Sequence, residues 1–314
     1  WAHISIFIFI AMTMVIADRL LGTGSYYVGE LNLLPFFNDT EANLLGLFTL
    51  TYVPNYFDIL PMYLVILLMV PAMVAARALH RLLPFVIMGV LWWLAWLRLM
   101  DLPAEPWSDR TWFFNPFSWQ LIFFIGYALS RGWIPAPPVN RILLALALAL
   151  VVLMIPISSH KIIWRHDLFL TVNSAILPFI DKTHLGPVRV LHFLVLAYAA
   201  YATVTLLGRW FSGWLVDVTV KVGQQSLAVF LCNLALARFA GIALDAAGRS
   251  ETATALINIA GCAMLVVLAY FIAWFKNSPW QRAVAVGSAG VNDNRDQQPA
   301  GSRQGAASIR VAVA

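Results

Sequence analysis

The chain has 314 residues, of which 61% are hydrophobic and only 11% charged, with a net charge of +5. A soluble domain carries about a quarter charged and about half apolar residues, so that class is excluded. Continuous rather than alternating apolar runs exclude a β-barrel, and an all-α polytopic helical membrane protein is left. The positive balance does not call for nucleic acid. The basic residues lie largely in short loops and the tail, as membrane topology requires.

A helix needs about 20 apolar residues to cross about 30 Å of hydrocarbon, and about eight such spans are predicted. The chain opens with Trp1, Ala2 and His3 and turns apolar at once, without the basic region and cleavage site of a signal peptide. It is expected to start inside a larger protein, with at least one helix preceding it. The first span covers 3–17. The connection 18–55 holds Asp18, Glu30, Asp39 and Glu41 among many apolar residues, and is expected to form short amphipathic helices on the membrane surface. Span two covers 57–76 and span three 84–100, with a basic turn, Arg77 to Arg81, between them.

An acidic, proline-rich stretch, 101–110, precedes span four at 116–129, and a basic loop, 131–141, leads to span five at 142–157. The connection 158–187 is mixed in charge, with a surface helix expected near 168–180. Span six covers 188–207, span seven 226–244 and span eight 253–275. From Lys276 onward the chain turns polar. Residues 283–314 read as a disordered cytoplasmic tail beside a membrane domain at 1–282, because such a composition cannot offset ordering entropy. Cys232 and Cys262 fall inside apolar helices and read as small hydrophobes.

Arg77 and Arg81, Arg131 and Arg141, Arg209 and Lys221, and Lys276 and Arg282 all fall on one alternating side, which should be cytoplasmic. The acidic and the two long connections then lie outside.

The candidate chemistry sits at span mouths. Residues 182–192 place Lys182, His184, Arg189 and His192 at the start of span six, and ionisable groups near hydrocarbon suggest function. Equally, Pro187 could serve the first helical turn and Arg189 could snorkel to headgroups. Asp58 stands at the entrance of span two. Asn115 and Pro116 open span four as a good cap pair, so a capping role for Asn115 competes with a binding one. Gln120, one turn further in, must find a partner or face a cavity. Trp119 reads as an interfacial anchor or a sugar platform, and Trp107, Trp112 and Trp164 share that side. Gln224 and Gln225 open span seven from the cytoplasmic side and could cap it, bind phosphate or polarise a carbonyl. His160 and His166 have no helical metal spacing, and neither metal nor nucleotide motifs occur.

Four stretches in this order carry a resemblance: FDILPMYL at 57–64, NPFSWQLIFF at 115–124, KTHLGPVRVLHF at 182–193 and GQQSLAVFL at 223–231. Together they resemble the OpgC family of membrane succinyltransferases, which modify osmoregulated periplasmic glucans and are related to the acyltransferase-three enzymes. The resemblance runs from residue 1 to about 281. It implies about ten spans in the bacterial inner membrane, with succinyl-CoA as cytoplasmic donor, no tightly bound cofactor and a periplasmic glucan as acceptor. Membrane lipid is then a partner and nucleic acid is not. Related enzymes carry a histidine and an arginine near their first span, and nothing here matches that motif. The general base is therefore expected outside this sequence.

Succinyl transfer to a sugar hydroxyl needs a base, a donor to the developing oxyanion and a cation for the succinyl carboxylate. The roles expected are proton transfer for His184 or His192, carboxylate binding for Lys182 or Arg189, and oxyanion donation for Gln120 or Gln225. Asp58 would orient a histidine or a sugar hydroxyl, and Asn115, Trp119 and Gln224 are further binding candidates. Two readings compete: an acyltransferase acting on another cell-surface polysaccharide, and a transporter or flippase of an acyl or glucan species. A coupled transporter should carry ionisable groups near mid-span, and the interior here is nearly bare of them.

Overall fold

A computed structural model describes residues 1–158 and 167–277. His160, Trp164, His166, Arg282 and the expected tail at 283–314 lie outside the described residues. The regular structure of the described residues is helical, apart from one isolated antiparallel bridge between Pro103 and Thr111.

Thirteen α-helices follow in order among the described residues: α1 Ala2–Leu21, α2 Tyr26–Glu30, α3 Leu34–Asn38, α4 Thr40–Thr49, α5 Ile59–Leu79, α6 Leu83–Trp96, α7 Pro116–Ser130, α8 Arg141–Ser158, α9 Asp167–Ile176, α10 Pro187–Leu207, α11 Trp214–Gln224, α12 Ser226–Ala246 and α13 Glu251–Lys276. Five of them, α1, α5, α10, α12 and α13, are long and apolar enough to cross a membrane. Helices also occupy the other three predicted spans. However, α6, α7 and α8 have 14, 15 and 18 residues. At about 1.5 Å per residue they rise only about 21, 22 and 27 Å.

Boundaries shift for local reasons. α1 runs four residues past its predicted end at 17, because Asp18 is spent on local bonds instead of facing water. Its carboxylate accepts from the N–H groups of Tyr27 and Val28, both at 3.0 Å, and from the Thr23 hydroxyl at 2.6 Å. It thus supplies acceptors to the free donors at the start of α2. α6 stops at Trp96, short of the predicted 100, where Arg98 takes a positive φ of 60°. The connection after Leu207 contains α11, a helix the sequence reading left unassigned.

Three packing groups result. α5, α6 and α7 pack around Met62, Ile66, Met73, Met88 and Phe124. α1 packs on α12, which forms a hairpin with α13. α8 packs along α10. The connection after α1 folds over one end as α2, α3 and α4, and buries Leu33, Leu47 and Tyr52 beside Phe7. Phe7 meets Phe36 and Phe57 edge-on at 4.9 and 5.3 Å, so these rings fasten the layer to the first span.

Candidate functional site

Two connections converge at the end of the bundle that the charge bias assigns to the outside. One, 97–115, joins α6 to α7. The other, 177–186, begins with a 3-10 turn, Leu177–Ile180, and leads into α10. Gly186 caps α10 and Pro187 fills its first turn. A Cβ on Gly186 would fall on the Phe179 carbonyl, so only glycine lets this connection fold so tightly. His184, just before that turn, is the residue joining the two connections.

His184 is 5% exposed. Its Nδ1 lies 2.6 Å from Asp181 Oδ2 and its Nε2 lies 2.7 Å from Asp101 Oδ1. Neutral imidazole donates from one nitrogen only, so making both contacts requires a second proton, on the ring or on one carboxyl group. Asp181 is drawn two ways. Burial pushes its carboxyl up, but bonding to His184 and to the Thr183 N–H, with the charges of His184 and Arg98, outweighs this and leaves it below the ordinary aspartate value. The carboxylates are the open side of the group, each 25% exposed at the side chain.

Asn115 completes the junction. Its Oδ1 accepts from the Phe117 N–H at 2.9 Å and so caps α7, while its Nδ2 donates to Asp101 Oδ1 at 3.1 Å and to the Met100 carbonyl at 2.8 Å. The capping and positioning roles therefore fall to one side chain. Trp119 is tied in as well, donating from Nε1 to the Lys182 carbonyl at 3.0 Å, and Trp92 donates likewise to the Leu185 carbonyl at 2.9 Å.

The other expected residues divide. Lys182 is exposed at the mouth of this group. Arg98 approaches Asp181 at 4.0 Å, and Arg189 spends Nε and one terminal nitrogen on the Ile180 carbonyl. Asp58 holds backbone, not a histidine: it is 3% exposed and accepts from the Phe113 N–H at 3.0 Å. Gln120 is fully buried. It donates to the Met88 and Phe117 carbonyls at 2.9 and 3.1 Å, which uses both amide hydrogens, so the expected oxyanion donation has no free N–H behind it. Its Oε1 has no partner among the described residues. His192, partly buried on α10, has no hydrogen-bond partner among them either. Gln224 ends α11 and Gln225 stands between α11 and α12, beyond the far end of α10, and Gln225 accepts from Lys276 at 2.7 Å.

Two site residues escaped the sequence reading. Asp181 lies in a mixed-charge connection and Asp101 in an acidic stretch, and neither stands out there by sequence. The spacing of Asp181 and His184, three residues apart, was the available signal for the first. The second needed the fold, since 83 residues separate Asp101 from His184. Among the described residues no group of three or more His, Cys, Asp or Glu side chains is placed to hold a metal ion.

A family model described as OpgC protein matches residues 1–277. No curated protein and no solved structure matches the chain.

Proposed function

The chain belongs to the OpgC protein family, and from that premise we propose that it is a membrane O-acyltransferase moving succinyl groups from cytoplasmic succinyl-CoA to periplasmic glucans across the bacterial inner membrane. The observation that carries the reading is the family match, which spans all of the described residues. Net of the passage of the succinyl group from the donor end to the acceptor end, the reaction forms an ester C–O bond from a sugar hydroxyl to the succinyl carbonyl carbon and breaks the thioester C–S bond. The hydroxyl proton leaves and the coenzyme A thiol departs protonated.

We assign the acceptor end to the junction around His184. Asp101 meets the sugar hydroxyl and, in place of a base outside this sequence, takes its proton: its Oδ1 is engaged by His184 and Asn115, and no hydrogen bond among the described residues occupies its Oδ2. His184 and Asp181 are positioning residues behind it. Lys182 and Arg98, at the mouth, attract the succinyl carboxylate. The donor is assigned to the opposite end, where Lys276 and Gln225 meet.

The test compares periplasmic glucans, by charge separation and mass, from cells with and without the full-length gene. Loss of succinyl mass, restored by the gene but not by Asp101→Asn, is expected. Unchanged glucans would overturn the acceptor assignment. Succinylated glucans retained inside the cell but absent outside would replace transfer with transport.

A further inference from the structure

We propose that the open cleft between α3–α4 and the connection 101–111 is a binding subsite for a neutral, unsubstituted sugar unit, with Trp107 as its platform. The proposal rests on the acceptor reading above and names a site for the glucan remote from the junction at His184.

The cleft encloses about 480 Å³ and is lined by Asn38, Asp39, Asn43, Thr51, Tyr52 and Trp107 among others. That volume falls within the range of small-molecule sites. Trp107 is 47% exposed, with its ring centroid 5.5 Å from that of Tyr52. Tyr52 is buried and fixed by a 2.7 Å bond from its hydroxyl to the Asn32 carbonyl.

The segment bearing Trp107 is fastened on both sides. The Glu105 carboxylate accepts from Asn32 at 2.6 Å, from Ser108 at 2.6 Å and from Arg110 at 3.0 Å. The Ala104 N–H donates to the Arg110 carbonyl at 2.7 Å, and the Val53 N–H donates to the Ala104 carbonyl at 2.8 Å. The backbone that carries the indole is therefore held in place before any ligand arrives, which lowers the ordering cost of binding.

A half-exposed tryptophan on a membrane protein is ordinarily an interfacial anchor among apolar neighbours. The surroundings of Trp107 argue otherwise. It shares the cleft with Asn38, Asp39, Asn43 and Thr51 as well as with Pro35, Ala42 and Pro106. Asn43 is bonded to the Pro35 and Asp39 carbonyls and Thr51 to Thr49, while neither the indole N–H nor the exposed Asn38 amide has a partner among the described residues. A pyranose ring suits this set. Its C–H face is apolar and packs on an aromatic ring, while its rim of hydroxyls both donates and accepts. Asn38 offers both functions, Asp39 accepts and the indole N–H donates.

Charge adds selectivity. Asp39 lines this cleft, and Asp39 with Glu41 lines the depression beside it. A sugar already bearing a succinyl carboxylate meets like charge there, so the unmodified unit is preferred and the product is disfavoured. The arrangement also reaches the junction, because Asp101 stands six residues before Trp107 on the same segment. At about 3.3 Å per residue they are no more than about 20 Å apart, within reach of one oligosaccharide chain.

The experiment uses the full-length protein in detergent or lipid nanodiscs, titrated with a neutral glucose oligosaccharide and with its succinylated form. The wild type should bind the neutral form more tightly. Trp107→Ala should weaken that binding about tenfold, and Trp107→Phe far less, with unfolding midpoints unchanged because the side chain is half exposed. Asp39→Asn keeps the cap on α4, since asparagine caps as well as aspartate, and should narrow the gap between the two ligands. The subsite is overturned if the wild type binds neither ligand, if Trp107→Ala binds as wild type, or if the succinylated form binds equally well. Normal glucan succinylation in cells lacking the gene, with sugar binding still lost in Trp107→Ala, would sink the transferase reading and leave the subsite standing.

Discussion

His184 binds to Asp101 across 83 residues of chain and to Asp181 within its own turn, so one side chain fastens two connections. Its removal leaves two partly buried carboxylates without a shared donor, and hydrogen bonds to charged groups contribute about 1.5–3 kcal/mol each. Discounting for the open side of both acids, His184→Ala should cost about 2–3 kcal/mol, read as a lower unfolding midpoint in detergent. An unchanged midpoint would remove the strap role. Glu105 makes a second residue-scale case. Burial pushes its carboxyl up, but bonds from Arg110, Ser108 and Asn32 and the charge of Arg110 hold it below the ordinary glutamate value of 4.5. A lowered folded value means a stabilising contribution that is full above 4.5 and lost as pH falls through the folded value. Glu105→Gln should therefore be less stable than wild type at neutral pH, with the gap closing in acid. A gap independent of pH would refute the charge argument. The sequence made His184 conspicuous, yet nothing in it linked Glu105 to Asn32, since that pairing spans 73 residues.

At the scale of elements, local chemistry was well legible wherever it is written in neighbouring residues. Asn115 and Pro116 announced the start of α7, whereas Ser250, which accepts from the Ala253 N–H, caps α13 three residues before the expected start of span eight at 253. Ends were less legible. The extension of α1 depends on Asp18 finding α2, and α11 is too short to announce itself as a span. Gln120 shows the same division: its polarity inside α7 demanded a partner, but that the partners would be backbone carbonyls of Met88 and Phe117 needed the fold. Both carbonyls sit inside helices, so replacing Gln120 with an apolar residue of similar volume strands no donor and removes the unpartnered Oε1. Gln120→Met should leave the unfolding midpoint unchanged or raise it by up to about 1 kcal/mol of stability. A loss above that figure would show that its two bonds knit α6 to α7 more strongly than bonding to carbonyls already engaged allows.

Across the described residues, apolar run length located the helices long and apolar enough to cross a membrane but did not settle how many cross it. The three runs of 14, 15 and 18 residues fall short of, or close to, the thickness that five others clear. Orientation is a separate matter, decided by where basic residues gather. Arg131 and Arg141 bracket the turn between α7 and α8, whereas Asp101, Glu105 and Asp109 mark the connection between α6 and α7. If charge bias sets the topology, these two connections face opposite compartments, and the junction at His184 and the Trp107 cleft share the acidic one. Asp109 and Ala136 are both exposed, and neither takes part in the networks around Asp101 and Glu105. In intact cells a membrane-impermeant thiol reagent should therefore label Asp109→Cys at once and Ala136→Cys only after permeabilisation. The exposed native Cys262 should be replaced beforehand so that it does not report instead. Labelling in the reverse order would place His184 and Trp107 on the cytoplasmic side, beside the acyl donor and away from any periplasmic acceptor.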